Sequence, residues 1–181
     1  MNSNKIRDSL HFYTYREHSL SLKLAADDML EKIGQVMNMP ENTDSDRIKS
    51  LGLIRGCMLL YAVSIELMLK AKGLYEERDN ILNGSISSFK DFIKKWNPKR
   101  GDGHGYFDII DYYKIDITEE EKRLLNNFQS YTSWAGRFPY PKKDEEVKMF
   151  EKDGKSSGSI GLRHKTEVQQ LLDKLISQMK T

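Results

Sequence analysis

The stretch "RFPYPKK" sets one guanidinium, two aromatic rings and two ammonium groups around a pair of prolines. These are Arg137, Phe138, Tyr140, Lys142 and Lys143, with Trp134 three residues ahead of the arginine. A second mixture, "KKWNPKR", places Lys94, Lys95, Lys99 and Arg100 around Trp96. Basic side chains hold phosphates while aromatic rings stack on unpaired bases, so both segments suit single-stranded nucleic acid or a nucleotide. The proline turn would hold the Arg137 guanidinium rigidly enough to grip a phosphate or a carboxylate. The same residues admit a structural reading. Trp134 and Phe138 then anchor a core, Pro139 and Pro141 stop a helix, and Arg137 answers its orphan carbonyls.

Other residue patterns carry less chemistry. His11, His18, His104 and His164 never pair at the i, i+4 spacing that puts two imidazoles on one helix face, and Cys57 stands alone. No metal ligand set is expected from that pattern. "GKSS" at 154–157 has the tail of a phosphate loop, but Met149 stands where the leading glycine belongs, and no apolar strand precedes it. "GDGHG" lacks the strand–loop–helix setting that lets glycine loops cradle pyrophosphate. The acidic run "DITEEEK" is what the dipole of a helix start favours by itself. His104 reads as a loop histidine that caps and orients the turn into the next helix, or as an acid–base group.

The elements that must position these residues all read as helices. Apolar residues from Leu22 to Met37 recur at spacings of three and four, the stripe of an amphipathic helix over about 20–37. Pro40 and its neighbours break it. A second helix is expected over about 46–78, with Ile54, Cys57, Met58, Tyr61, Ile65, Met68 and Leu69 on one stripe. Leu53, Leu60, Val63 and Leu67 make its middle apolar nearly all round, which places it at the centre of a bundle. Ser88 is an N-cap candidate for "SFKDFIKKW", and "YFDIIDYYKI" is read as a short helix. Thr118 and Glu121 make a capping box opening a helix that ends near Gly136. Residues 142–159 read as a mobile surface excursion in a single domain spanning 1–181. The last helix carries Val168, Leu171, Leu172, Leu175, Ile176 and Met179 as a narrow seam.

A net charge of +2 on 181 residues is too small to demand a polyanionic partner, so nucleic-acid binding would need local clustering. The single cysteine forbids an intrachain disulfide, which suits a reducing cytoplasm. The first residues lack the apolar stretch of a secretion signal. "CMLLYAVSIELMLK", interrupted by Ser64 and Glu66, falls short of the ~18 apolar residues of a membrane span. The expectation is a cytoplasmic, all-α protein with no cofactor and no membrane partner.

Three segments taken together resemble HEPN-like domains: "SIELMLKAKGL", "GHGYFDIIDYY" and "FQSYTSWAGRFPYP". They match the subgroup with a Glu-Leu-x-Leu-Lys helix, a Gly-His loop and an Arg-Tyr-Pro helix end, over roughly residues 50 to 141. Phe138 stands in place of the tyrosine, and Gly105-Tyr106 in place of Asp-Leu. The resemblance implies an up-and-down helical bundle, commonly a homodimer, in toxin–antitoxin, antiphage-defence or RNA-processing systems. Many such proteins are metal-independent ribonucleases whose motif is an arginine, four to six intervening residues and then a histidine, on one helix. Arg137 takes the arginine position, but "FPYPKKD" supplies no histidine. Arg7–His11 and Arg100–His104 have only three intervening residues and lie elsewhere. The first expectation is therefore a non-catalytic module that binds RNA, a nucleotide or a protein partner encoded nearby, through the Arg137 turn. A ribonuclease using Arg137 with His104 or Tyr140 is the alternative, and a purely structural dimerisation subunit the third.

Overall fold

A computed structural model describes residues 9–38, 43–99, 101–132 and 162–179. Every regular element among them is a helix: α1 (Phe12–Met37), α2 (Asp44–Glu76), α3 (Arg78–Leu82), α4 (Phe89–Trp96), α5 (Tyr106–Tyr113), α6 (Glu119–Ser130) and α7 (Leu162–Ser177). The all-α expectation therefore holds for the described residues. α2 is the hub, lying along α1 and also touching α3, α5, α6 and α7.

Local chemistry explains most of the boundaries. Thr43 and Asp46 form a reciprocal capping box that starts α2, and Thr118 and Glu121 form another that starts α6. The Ser88 hydroxyl accepts from the Asp91 N–H and starts α4, as its type and spacing predict. α5 closes on Lys114, whose φ of 51° turns the chain into the left-handed region. α1 begins eight residues before the apolar stripe predicts, and tertiary packing is the reason. Phe12 sets its edge on Tyr75 at 5.2 Å between centroids, and Tyr15 stacks on Phe89 at 5.4 Å. Those contacts extend the helix through a segment without a helical stripe.

The α1–α2 seam is bonded as well as packed. Ser19 and Ser64 each donate to the other's backbone carbonyl, at 2.7 and 2.8 Å. Lys23 pairs with Asp27 at 2.7 Å, and the Tyr61 hydroxyl donates to the same carboxylate at 2.6 Å. Burial, and then the bond to Asp27, push the Tyr61 phenol far up, so it stays a donor. Cys57 donates to the Ala26 carbonyl, and burial followed by the Asp27 charge pushes its thiol up to about 12. Such a thiol is inert.

From Cys57 to Leu74, α2 is buried on nearly every side, Glu66, Lys70 and Lys72 included. The expected apolar stripe is there, but the charges are inside with it. Gly73 permits close packing of aromatic rings on α2. A Cβ there would stand 2.8 Å from the Tyr113 ring and 3.0 Å from Phe92. One expectation is corrected. By length and composition alone α2 reaches the size and hydropathy of a membrane-crossing helix, with an 18-residue window of mean hydropathy 1.6, as the central helix of a bundle also can. Leu51, Leu53 and Ile54 extend the run N-terminally beyond the part counted from Cys57.

Past the end of α2, Glu77 fastens three elements. Its carboxylate accepts from Asn80 at 2.6 Å on α3, Lys95 at 2.8 Å on α4 and the Tyr113 hydroxyl at 3.2 Å on α5. Burial by itself raises its carboxyl, but the Lys95, Asn80 and Tyr113 bonds outweigh that and hold it below the ordinary glutamate value. A carboxyl lower in the folded than in the unfolded chain adds stability above the unfolded value, and loses it as pH falls through the folded one. Thermal melts should therefore show stability dropping as pH falls through and below the ordinary glutamate range. Glu77→Gln should be less stable at neutral pH and flatter across that window; an unchanged slope would show that Glu77 does not carry the effect.

Candidate functional site

The loop "GDGHG" is folded by one asparagine. Asn97 follows α4, and its side-chain oxygen accepts from the Gly101 N–H at 3.1 Å. Its amide donates to Asp102 at 3.3 Å and to Asp108 at 3.1 Å. Gly101 and Gly103 take φ values of +65° and +71°, conformations other residues adopt at a cost, and a Cβ on Gly103 would press on Ile93 at 2.9 Å. Asp102 then accepts the backbone N–H of His104 at 3.2 Å. The backbone of His104 is thus fixed before its ring meets anything.

The ring meets α2. His104 Nδ1 lies 3.1 Å from Glu66 Oε2 and 3.3 Å from Oε1. One turn on, Lys70 Nζ donates to Glu66 Oε1 at 2.6 Å. The Glu66 and Lys70 side chains are each only 9% exposed, whereas His104 is 47% exposed. Those fractions decide the geometry: a buried ion pair holds the inner edge of a ring whose outer edge is wet. An ionised carboxylate can only accept, so Nδ1 is the donor in this contact and Nε2 is the nitrogen left for another partner. This is how a second carboxylate orients a histidine for proton transfer.

Tyr106 ties this corner to α6. It is fully buried, and its hydroxyl donates to the Ala62 carbonyl at 2.5 Å, one turn before Glu66. Burial first, and the Glu66 charge second, push its phenol well above the usual range, against a hydrogen bond from Thr132 that works the other way. Tyr106 therefore stays protonated. Thr132 lies just past α6, so the Gly-His loop, α2 and the end of α6 converge on one phenol.

Among the candidates read from sequence, His104 and Lys99 are placed, and Lys99 is exposed. Trp134, Arg137, Phe138, Tyr140, Lys142, Lys143 and Arg100 lie outside the described residues, as do the "GKSS" segment, the end of the helix near Gly136 and Arg7. Trp96 is no stacking platform: it is 5% exposed and sets its edge on Phe92 at 5.9 Å. Lys95 beside it is committed to Glu77. Nor does His104 cap the helix it precedes. Gly105 holds that position with no side-chain bond, and the imidazole goes to Glu66 instead. His11 stacks on Phe12, and His164 sets its edge on Phe128. Among the described residues no group of three or more His, Cys, Asp or Glu side chains could hold a metal ion.

Glu66 and Lys70 are the glutamate and lysine of the Glu-Leu-x-Leu-Lys segment, which sequence reasoning used for the resemblance without giving either residue a role at the site. Their signal was present: an i, i+4 charged pair on the most apolar helix, where no solvated face exists to receive it. No family model, curated protein or solved structure matches the chain.

The buried pair makes a sharp energetic test. Glu66→Leu leaves the Lys70 ammonium buried without its counter-charge and should cost about 3–5 kcal/mol. Glu66→Leu with Lys70→Met replaces the pair by apolar groups and should recover most of that loss in urea denaturation. Additive losses would mean the two side chains do not act as a pair.

Proposed function

We propose that this chain is a HEPN-like helical module that acts on RNA as a metal-independent ribonuclease, with His104 as its proton-moving group. One observation carries the reading. A buried carboxylate, itself anchored by a buried lysine, is committed to an exposed loop imidazole through Nδ1. Holding a ring merely to close a loop does not require such a partner, since Asn97 and Asp102 already fix the loop's backbone.

The chemistry follows from the free edge of the ring. Nε2 takes the proton of an RNA 2′-hydroxyl, the 2′-oxygen attacks phosphorus, and the bond to the 5′-oxygen breaks. The imidazolium then gives its proton to that departing oxygen. The products are a 2′,3′-cyclic phosphate and a 5′-hydroxyl, with no water or metal consumed. The HEPN resemblance assigns phosphorane stabilisation to Arg137. That residue follows Thr132 by five positions, a tether of at most ~18 Å from the corner where Tyr106 and Thr132 meet. In this reading the arginine and the histidine come from different segments rather than from one helix.

A non-catalytic RNA- or nucleotide-binding module is the second reading. It is favoured by the inward commitment of Lys70, the cation next to Glu66, which leaves the outer edge of the ring without it. A single assay separates the two. Purified protein in chelator should cut a short single-stranded RNA to a cyclic-phosphate end, and His104→Ala should lower the rate ~100-fold or more while RNA is still bound. Binding without cleavage would select the second reading. RNA that is neither cut nor bound would overturn both.

A further inference from the structure

We infer that Lys70 is a positioning residue for His104: by serving as the permanent counter-charge of Glu66, it keeps the histidine neutral, with its proton on Nδ1 and its lone pair on Nε2. The inference rests on the ribonuclease or binding reading only for its purpose, not for its geometry.

Glu66 is buried and has two partners, Lys70 at 2.6 Å and the His104 ring at 3.1 Å. A buried carboxylate must have a compensating charge. With Lys70 present that requirement is met within one helical turn, and the imidazole need contribute only a hydrogen bond. Without Lys70 the nearest group able to become positive is the imidazole itself. It would then hold a proton on both nitrogens to balance Glu66, and Nε2 could no longer accept one. The lysine thus decides whether the exposed edge of the ring is a base or an acid.

The place of Lys70 suits this role. Its side chain is 9% exposed, so it is poorly placed to meet a ligand, and its ammonium sits 5.8 Å over the Phe89 ring, which steadies a cation. Other ionisable groups face the histidine too. Asp102 in the loop accepts its backbone N–H, Asp108 on α5 shares the Asn97 amide with Asp102, and Tyr106 lies beside Glu66. Both aspartates are acidic and favour a charged ring, so Lys70 works against them. They are unchanged when Lys70 alone is varied, so the comparison isolates the lysine.

Nitrogen-15 spectra of histidine-labelled full-length protein read ring protonation and tautomer directly, without substrate or turnover. At one fixed alkaline pH the wild type should show the Nδ1–H tautomer. The doubly protonated fraction of His104 should rise ~10-fold in Lys70→Met, as a local charge change of this kind does, and return to the wild-type fraction in Lys70→Arg. A folded Lys70→Met with an unchanged fraction, or a wild type with the Nε2–H tautomer, would overturn the inference. Should Lys70→Met fail to fold, Glu66→Gln decides: removing the charge should lower the doubly protonated fraction, and an unchanged ring would again overturn it. Because no step depends on cleavage, an inactive protein with these spectra would reject the ribonuclease reading and leave the role of Lys70 standing.

Discussion

One buried carboxylate, Glu66, joins the interior of this bundle to its surface. Its position about two-thirds of the way along α2 commits the helix to a polar interior, because Lys70 must follow one turn later to balance it. Its second oxygen reaches the His104 ring across 38 residues of sequence, and that contact draws the Gly-His loop onto α2. The rest of the corner is arranged around the same requirement. Asn97 shapes the loop, two glycines let it turn, and the buried Tyr106 donates to α2 one turn before Glu66.

The same logic recurs at two other points on α2 and its end. Asp27 is held by Lys23 and Tyr61 in the α1–α2 seam, and Glu77 by Lys95, Asn80 and Tyr113 where α3, α4 and α5 meet. The Asp27 cluster is buried, and the Glu77 carboxylate is buried among partners that are themselves only partly covered. The Glu66 cluster differs in ending on a half-exposed imidazole. What separates the candidate site is the chemistry of that partner: the Asp27 and Glu77 carboxylates are held by lysines, an asparagine and phenols, whereas Glu66 reaches an imidazole that solvent can also reach.

Helix identity was largely legible in the sequence because it is written locally. The capping box at Thr118, the Ser88 cap and the apolar stripe on α2 each act within a few residues, and each appears as expected. The Thr43–Asp46 box was equally local, but it lay in a run of turn formers and read as a loop. The early start of α1 was not legible, since it depends on Phe12 and Tyr15 finding Tyr75 and Phe89. The site was half legible. His104 stood out as a histidine in a glycine loop, whereas Glu66 and Lys70 were visible only as letters of the Glu-Leu-x-Leu-Lys segment, with nothing to tie them to the histidine. Only the packing of the other helices around α2 shows that Glu66 and Lys70 have no solvated face, and that is a property of the assembled bundle.

The most direct measurement is the proton on His104 Nδ1 in the wild-type protein, followed by its solvent-exchange rate in proton NMR. A hydrogen donated to a buried carboxylate should give a separate downfield resonance that exchanges slowly, with magnetisation transfer to the Glu66 side chain. A ring whose Nδ1 proton exchanges at the rate of a free histidine, with no transfer to Glu66, would contradict the account at its root.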